Sequence, residues 1–411
     1  MEIMDESRFV ILGGGMVAGY AAKQWVELGL KPGELAILSA DTALPYERPP
    51  LSKSFLAGKD TEESIRINAE DFYRQHGILA SLGCAVSNVD VKRKRLALRR
   101  GGEFGFEKLI LATGARPRTL KIPGANLQNV GYLRSLEDSK TIRQRAEGVK
   151  RAVVIGGGFI AMEVAAVLAQ KSIDVTMVLR EERIWSRIFT PEMSNFFESY
   201  YEARGVRIIK SARVTELRGN RAVDTVVLDG VPPIPCELVV AGIGVQPVTD
   251  IFAGSDISVG DGVLVNEYLE TNQPGICAAG DVANYQDLLF GRRRRVEHWD
   301  NAVSQGQYCA RLLTGERTPF RHVPYFFSDV FDLSYEYWGD GSDADQVVHR
   351  GDFSGSSFSA WWLRQNRLVA AFAMNRPDEE REAAPKWIES RQRVSGKDLA
   401  DTVHPIAAAT V

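Results

Sequence analysis

Two glycine-rich turns, one near the N-terminus and one in the middle of the chain, constrain the fold more than any other feature. The first turn is formed by Gly13, Gly14 and Gly15, after the apolar residues 8–12 and before the apolar-periodic residues 20–28. The order strand, glycine turn, helix is typical of a dinucleotide-binding unit, in which the backbone approaches a pyrophosphate at the helix N-terminus. We therefore predict a dinucleotide site here.

Small residues and an acid complete this first unit. Ala18 and Gly19 would let the helix pack closely on the strand. A second predicted strand, residues 35–38, ends shortly before Asp41, where an acidic side chain would bind a ribose hydroxyl. An ordinary strand-to-helix turn that needs glycine is the alternative interpretation.

The same pattern returns in the middle of the chain. A predicted strand (151–155) leads into the turn Gly156 to Gly158, a helix through Gln170 and another strand (174–178). The helix opens with Phe159 and Ile160. The two turns are too far apart for one sheet, so we predict two separate nucleotide-binding domains.

Two dinucleotides in one chain suggest that electrons pass between them. A nicotinamide gives up a hydride and a flavin accepts it, so this pair is the expected one. Three further strands end at small residues near a nucleotide, and Asp281 after the last of them would accept hydrogen bonds from sugar hydroxyls or cap a helix. The residues in question are Ala112, Thr113, Gly114, Gly242, Gly280 and Asp281.

Composition narrows the function classes. The 411 residues include 50 basic and 53 acidic side chains, so the charge of −3 gives no indication of nucleic-acid binding. No apolar run of about 18 residues is present, so no membrane-spanning helix is predicted. The N-terminus is acidic where an export signal would be basic, and the four cysteines are scattered. We expect free thiols, no metal site and a cytoplasmic location.

The arrangement resembles the flavoproteins in which an FAD-binding domain is interrupted by an inserted NAD(P)H-binding domain, as in the glutathione-reductase-like fold. The resemblance rests on the two glycine turns, residues 112–114, Gly280-Asp281 and residues 45–53, PYERPPLSK. It implies an α/β fold with two Rossmann-like domains and a C-terminal α+β domain. The resemblance implies that the FAD-binding domain comprises residues 1–117 and 241–320. The NAD(P)H-binding domain would comprise residues 118–240, and the C-terminal domain residues 321–411.

No cysteine precedes Cys84, which excludes the redox-active dithiol of the disulfide-reductase branch. The chain instead is similar to the branch of monodehydroascorbate reductases, ferredoxin and rubredoxin reductases and apoptosis-inducing factor. Similarity to monodehydroascorbate reductase is carried by residues 15–22, 31–37, 295–298 and 331–334.

This resemblance implies hydride transfer from NAD(P)H to FAD, followed by single electrons to an acceptor. The acceptor would be a small molecule of the monodehydroascorbate type or an acidic ferredoxin. A signalling or binding flavoprotein with slow turnover is the alternative from another class.

The resemblance also assigns roles to three charged residues. Arg48 would contact the FAD pyrophosphate, and Lys53 would lie beside the flavin ring. Glu163, in the second glycine-turn helix, would neighbour both that lysine and the nicotinamide. We therefore expect Lys53 and Glu163 to lie within salt-bridge distance. Without the resemblance, Arg48 and Lys53 would be interpreted as solvated charges on a loop, and Glu163 as an ordinary helix acid.

Coenzyme preference depends on mixed charges after the second unit. Glu181 aligns with the acid that binds the adenosine ribose of NADH and repels a 2′-phosphate. Arg180 and Arg183 flank it and would instead accept NADPH. We predict that NADH is used at least as well as NADPH.

The densest positive charge is the arginine run, residues 292–295. A solvated face is the ordinary interpretation. In the family that the chain resembles, Arg295 would bind an anionic acceptor, and Glu297, His298 and Trp299 would line the flavin pyrimidine edge. The same cations could dock an acidic ferredoxin.

The C-terminal segment begins with an aromatic cluster that includes Tyr325 and Phe327. Such clusters are most often core, but the resemblance places an aromatic ring of this cluster against the isoalloxazine. Phe327, Asp329 and Trp338 depart from the plant monodehydroascorbate reductase pattern and put the ascorbyl substrate in doubt.

The rest of this segment is predicted from local patterns. Residues 358–374 are typical of a β-hairpin, and residues 377–391 of an amphipathic helix. This helix would cover the flavin and form a subunit contact, which would permit a homodimer. The tail after residue 395 is predicted to be mobile.

Overall fold

The computed structural model describes residues 5–411. The strands in this part of the chain are β1 (Glu6–Leu12), β2 (Leu35–Leu38), β3 (Leu79–Ser81), β4 (Val86–Asp90), β5 (Arg95–Leu98), β6 (Glu103–Leu111), β7 (Ala115–Pro117), β8 (Val130–Gly131), β9 (Arg151–Ile155), β10 (Asp174–Val178), β11 (Arg207–Ile209), β12 (Val214–Arg218), β13 (Thr225–Leu228), β14 (Val231–Pro235), β15 (Leu238–Ala241), β16 (Val245–Pro247), β17 (Val259–Gly260), β18 (Gly262–Val265), β19 (Ile276–Ala278), β20 (Ala283–Asp287), β21 (Arg292–Arg294), β22 (Tyr325–Val330), β23 (Leu333–Gly339), β24 (Gln346–Asp352), β25 (Ser357–Arg364) and β26 (Arg367–Met374). The α-helices are α1 (Met16–Glu27), α2 (Ser54–Ala57), α3 (Phe72–Gln75), α4 (Leu136–Arg145), α5 (Phe159–Gln170), α6 (Pro191–Glu202), α7 (Trp299–Thr314), α8 (Asp378–Ser390) and α9 (Gly396–Ala400).

The chain forms two compact units. The first contains the chain up to Glu47 together with Glu62–Arg116 and Gln246–Tyr325. The second contains Arg48–Thr61, Pro117–Val245 and Phe326–Val411. The three-domain boundaries expected from the resemblance stay a prediction.

The first unit is built on a sheet with the strand order β3-β2-β1-β6-β5-β4, in which β19 also pairs with β6. β1 lies parallel to both β2 and β6. The last four residues of β1, 9–12, are apolar and buried, as is typical of a parallel strand covered on both faces. Helix α7 crosses α1 closely, since a Cβ at Gly306 would lie 2.8 Å from the carbonyl oxygen of Val17.

The second unit contains a parallel sheet with the order β11-β10-β9-β15-β8. Its strands β9 and β10 and the end of α5 coincide with the elements predicted from the sequence. The prediction of a second strand–turn–helix–strand unit is therefore confirmed.

The C-terminal part of the second unit is a five-stranded sheet with the order β22-β23-β26-β25-β24. The predicted hairpin is confirmed as β25 and β26, which pair antiparallel. Gln365 and Asn366 in its turn have φ of 52° and 60°. Two positive φ angles are typical of the type I′ turn, whose twist matches the strands. The predicted amphipathic helix is α8.

The tail after residue 395 is ordered, so the prediction of a mobile tail is wrong. Leu399 and Ala409 are buried, and α9 begins at Gly396. The Arg350 guanidinium donates to the carbonyl oxygens of Leu399 (3.1 Å), Asp401 and His404 (2.8 Å). A single buried guanidinium therefore holds the tail at three carbonyl oxygens, a contact that a motif search could not reveal.

Composition predicted no membrane-spanning helix and free cysteine thiols. Among the described residues, no helix is both long enough and apolar enough to cross a membrane. Cys84, Cys236, Cys277 and Cys309 are free thiols, as predicted.

A buried carboxylate anchors α8 to the C-terminal sheet. Glu380 accepts hydrogen bonds from Arg350 Nε (2.8 Å), Arg376 Nη2 (2.5 Å) and Ser359 Oγ (2.7 Å). Burial raises the pKa of Glu380, but the hydrogen bonds from Arg376, Ser359 and Arg350 lower it further than burial raises it. The net pKa therefore lies below the usual value.

We expect Glu380→Gln to lower the free energy of unfolding at pH 7 by about 3 kcal/mol, because it leaves two buried guanidinium groups without their counter-charge. Because the pKa of Glu380 is lower in the folded state, its stabilisation is complete above about pH 4.3 and is lost as the pH falls through the folded-state value. Urea unfolding between pH 7 and pH 3 measures this difference. Glu382→Gln, on the exposed face of α8, is the matched control. If the difference in unfolding free energy between wild type and Glu380→Gln does not decrease in acid, the role assigned to Glu380 is wrong.

Candidate functional site

The first glycine turn requires residues without side chains. Gly13 has φ of +128°, and a Cβ there would lie 2.1 Å from the carbonyl oxygen of Ala112. A Cβ at Gly14 would lie 2.1 Å from Ser39 Oγ. Gly15 is the N-cap of α1 and contributes no side-chain hydrogen bond to the helix end. The turn thus offers bare backbone and a helix N-terminus, which fits a dinucleotide pyrophosphate.

The helix and strand around this turn have the predicted small residues in place. Ala18 is buried, and a Cβ at Gly19 would lie 2.7 Å from the Ile67 side chain. Asp41, just beyond β2, accepts hydrogen bonds from the Tyr46 hydroxyl (2.9 Å) and the Ala43 N–H (3.1 Å). Its carboxylate is therefore held in a fixed orientation. Its role as a ribose ligand stays a prediction.

Predicted site residues also follow two other strands of the first unit, β6 and β19. Thr113 Oγ1 donates to the Val248 carbonyl at 2.7 Å, and Gly114 has a positive φ of 65°. Asp281 lies in a buried 3₁₀ turn. Gly280 also has a positive φ, and its N–H donates to Gln305 Oε1 at 2.8 Å. Gln305, on α7, was not singled out from the sequence, because a helical glutamine gives no local signal.

Glu47 is a further residue that sequence reasoning missed. Its carboxylate accepts hydrogen bonds from the Tyr20 hydroxyl (2.6 Å) and Trp299 Nε1 (2.5 Å). Burial and the neighbouring Glu47 raise the pKa of Tyr20. The carboxylate thus fixes α1 to the first residue of α7, beside the N-cap His298. A lone acid within PYERPPLSK was the signal that could have indicated it.

Several side chains of the arginine run have partners within the first unit. Arg294 pairs with Asp287 at 2.7 Å, and both side chains are largely buried. Arg295 is 11% exposed and pairs with Glu297. Arg293 donates to backbone carbonyl oxygens. Carboxylates therefore pair with two of these guanidinium groups, and the role of the run towards an anionic acceptor or an acidic ferredoxin stays a prediction.

The second glycine turn repeats the geometry of the first. Gly156 has φ of +125°, and a Cβ there would lie 2.3 Å from the carbonyl oxygen of Gly242. Gly158 is the N-cap of α5 without a side-chain hydrogen bond to the helix end. At the start of α5, Ile160 is 40% exposed, whereas the Phe159 ring lies 4.3 Å from the Phe326 ring. The second glycine turn therefore offers the same bare backbone and helix N-terminus as the first.

The predicted approach of Lys53 to Glu163 is confirmed. Lys53 Nζ lies 2.7 Å from Glu163 Oε1, and the two side chains are 14% and 4% exposed. Glu163 also accepts hydrogen bonds from Ser52 Oγ and from Ser328 Oγ, the latter at 2.5 Å. Three donors thus face one buried carboxylate within the second unit. Lys53 Nζ also lies 5.6 Å from the centre of the Phe327 ring.

The remaining predicted residues each have their own contacts and burial. Arg48 Nη1 donates to the Arg134 carbonyl at 2.5 Å. On β22, Tyr325 and Phe327 are half-buried, whereas Phe326 between them is buried. Their roles towards a pyrophosphate or a flavin stay predictions. Trp338 is buried in β23.

We expect Glu163→Leu to lower the free energy of unfolding by about 3–5 kcal/mol, because it leaves the Lys53 ammonium buried without its partner. The double variant Lys53→Met with Glu163→Leu should recover most of that loss. Ser328→Ala, which removes one hydrogen bond only, should cost about 1–2 kcal/mol. Urea unfolding of the four proteins with FAD bound provides the measurement. A double variant as unstable as Glu163→Leu would contradict the buried ion pair.

Two glycine turns of this geometry and a buried lysine–glutamate pair are typical of an oxidoreductase that uses dinucleotides. No cysteine lies near the first turn in the sequence, so a dithiol is not part of it. The chain belongs to the pyridine nucleotide-disulphide oxidoreductase family, whose model matches residues 7–306. A second model, described as reductase C-terminal, matches residues 325–410.

Three relatives illustrate the range of this family. Monodehydroascorbate reductase 4, peroxisomal, from Arabidopsis thaliana is 37% identical over 94% of this chain and 83% of its own. Rubredoxin-NAD(+) reductase from Pseudomonas putida is 35% identical over 90% and 96%. The crystal structure of the ferredoxin reductase for the CYP199A2 system from Rhodopseudomonas palustris matches with a TM-score of 0.93, at 33% identity over 99% and 100%.

These similarities confirm the expected class. The protein is an FAD-dependent NAD(P)H oxidoreductase that uses FAD and NADH. The α/β fold with a C-terminal reductase domain is likewise confirmed. When bound, FAD supplies the chemistry that accepts a hydride and releases electrons. Both glycine turns have the close backbone approach that dinucleotides require.

Proposed function

We propose that the protein transfers a hydride from NADH to FAD and then delivers single electrons to a small anionic acceptor of the monodehydroascorbate type. The observation that carries the proposal is the buried Lys53–Glu163 pair, which belongs to the same unit as the second glycine turn. A lysine held by a buried acid presents a fixed positive charge where electron density would arrive on a flavin. All four cysteines are free thiols, so electrons would not pass through a protein disulfide.

The state of the arginine run supports a small acceptor over a docked protein. Arg294 and Arg295 are engaged by carboxylates, so little of their charge is available for long-range steering. A guanidinium such as Arg295 can still meet a small anion at close range. Asp329, by contrast, is exposed and adds negative charge nearby in sequence to Phe327.

A ferredoxin-type protein acceptor is the second candidate. It is supported by the ferredoxin reductase from Rhodopseudomonas palustris, which matches nearly the whole chain at 33% identity. The rubredoxin-NAD(+) reductase relative points the same way. Both relatives are named for reactions with redox proteins.

Ionic strength separates the two acceptors in a stopped-flow experiment. We expect the holoprotein reduced with NADH to be reoxidised by ascorbyl radical at a rate that changes little with salt, and to lose that rate in Arg295→Ala. Reduction of a protein partner would instead fall steeply, because the Debye length shrinks from about 30 Å at 0.01 M to about 10 Å at 0.1 M. Salt-sensitive reduction of a ferredoxin, with no reaction with the radical, would overturn the small-acceptor proposal.

The same experiment tests the alternative of a binding flavoprotein. A signalling flavoprotein would form a long-lived charge-transfer complex with NADH. Its long-wavelength absorbance would persist for minutes in air. Fast reoxidation by ascorbyl radical, quinone, ferricyanide or ferredoxin favours an enzyme.

Coenzyme preference provides a second test of the proposal. Glu181 is exposed just after β10, where a carboxylate would meet the adenosine ribose. We expect Glu181→Ala to improve kcat/KM for NADPH relative to NADH by about 1–2 kcal/mol, because a negative charge facing the 2′-phosphate is removed. Glu202→Ala, which removes an exposed acid of α6 outside residues 180–190, is the matched control. A wild-type protein that strongly prefers NADPH would contradict the role of Glu181.

Location and assembly are proposed separately. We place the protein in the cytoplasm on its free thiols, although the Arabidopsis relative is named peroxisomal. A homodimer would use the exposed face of α8. Fractionation of cells and light scattering on the purified protein test these two proposals.

A further inference from the structure

The segment that follows β10 bends sharply before α6 begins. We call residues 180–190 the coenzyme loop. Arg180 and Glu181 at its start are exposed, whereas Ile184 and Trp185 are buried. Trp185 has φ of +52°, a left-handed conformation that is unfavourable for a residue with a Cβ. Such a conformation persists only where the surroundings hold it in place.

Hydrogen bonds from Arg183 stabilise this conformation of the loop. Its Nη1 donates to the Phe189 carbonyl at 2.6 Å and to Ser194 Oγ at 3.2 Å. Its Nη2 donates to the Ser186 carbonyl at 3.2 Å. The side chain is 22% exposed. The two Nη groups therefore join both sides of the left-handed Trp185 to the first turn of α6, while Nε lies 3.7 Å from Oε1 of the exposed Glu182.

A buried acid and the second glycine turn hold the same loop. The Ile184 N–H donates to Glu198 Oε1 at 3.0 Å, and Glu198 pairs with Lys210 at 2.7 Å. The Trp185 N–H donates to the Gly157 carbonyl at 2.9 Å. The position of the loop is thus tied directly to the backbone that would meet the coenzyme pyrophosphate.

We propose that Arg183 is a positioning residue, which fixes the coenzyme loop against the second glycine turn and does not bind a 2′-phosphate. Discrimination between NADH and NADPH is then made by the exposed pair Glu181 and Arg180. This inference rests on the proposed function, because it requires that the coenzyme binds at the second glycine turn. The planar fork of arginine is essential to the role, since a lysine cannot reach the Ser186 and Phe189 carbonyls together.

The test measures the dissociation constants of NAD⁺ and NADP⁺ by calorimetry on the protein with FAD bound. Arg183→Ala should weaken both by a similar factor of about 3–10, because the loop is less ordered for either coenzyme. Arg183→Lys should not restore the affinity, because it keeps the charge without the fork. Arg180→Ala should weaken NADP⁺ more than NAD⁺. Arg187→Ala, which removes an exposed charge from the same loop, is the matched control and should change neither constant.

Three results would overturn the proposal. A selective loss of NADP⁺ affinity in Arg183→Ala that Arg183→Lys restores would make Arg183 a phosphate ligand. Unchanged constants in Arg183→Ala would show that the loop does not need it. If Arg183→Ala retains no FAD, Arg183→Gln is measured instead, and the same two results decide. A wild-type protein that binds neither nucleotide would overturn the proposed function itself, and with it this inference.

Discussion

The buried ion pair between Lys53 and Glu163 is the interaction on which the second unit depends. A carboxylate taken out of water is unfavourable unless donors replace the lost hydration, and here an ammonium and two hydroxyls do so. These donors come from the segment Arg48–Thr61 and from β22, while the acid lies on α5. One carboxylate therefore joins three separate stretches of chain.

The two glycine turns show how backbone geometry can be repeated without similar side chains. In each, the first glycine has a φ near +125°, and its missing Cβ leaves room for a carbonyl oxygen at the end of a neighbouring strand. That carbonyl belongs to Ala112 in the first unit and to Gly242 in the second. Because both turns end at an uncapped helix N-terminus, each can hold a pyrophosphate. The two turns can therefore bind different dinucleotides although the side chains around them differ.

Arginines act here mainly as internal ties. Arg183 fixes the coenzyme loop, Arg295 pairs with a neighbouring acid, and Arg350 holds the C-terminal tail. A guanidinium offers five donors in one plane, so it satisfies several carbonyl oxygens that would otherwise be buried without partners. Charge counted along the sequence therefore does not show that Arg294 and Arg295 are paired with carboxylates. Hydrogen bonds of this kind also explain how a tail without a recognisable motif is ordered.

The sequence by itself determined the elements whose pattern is local: the strand–glycine–helix order at Gly13 and Gly156, the hairpin β25–β26, and the acid and lysine of the family motif. These were predictable because strand and helix periodicity and the positive φ of glycine are properties of short segments. Only the tertiary structure decided which donors surround Glu163, that Glu47 joins Tyr20 to Trp299, and which arginines are engaged. Those contacts join residues far apart in the chain, and hydrogen-bond partners at such separations depend on how the elements pack.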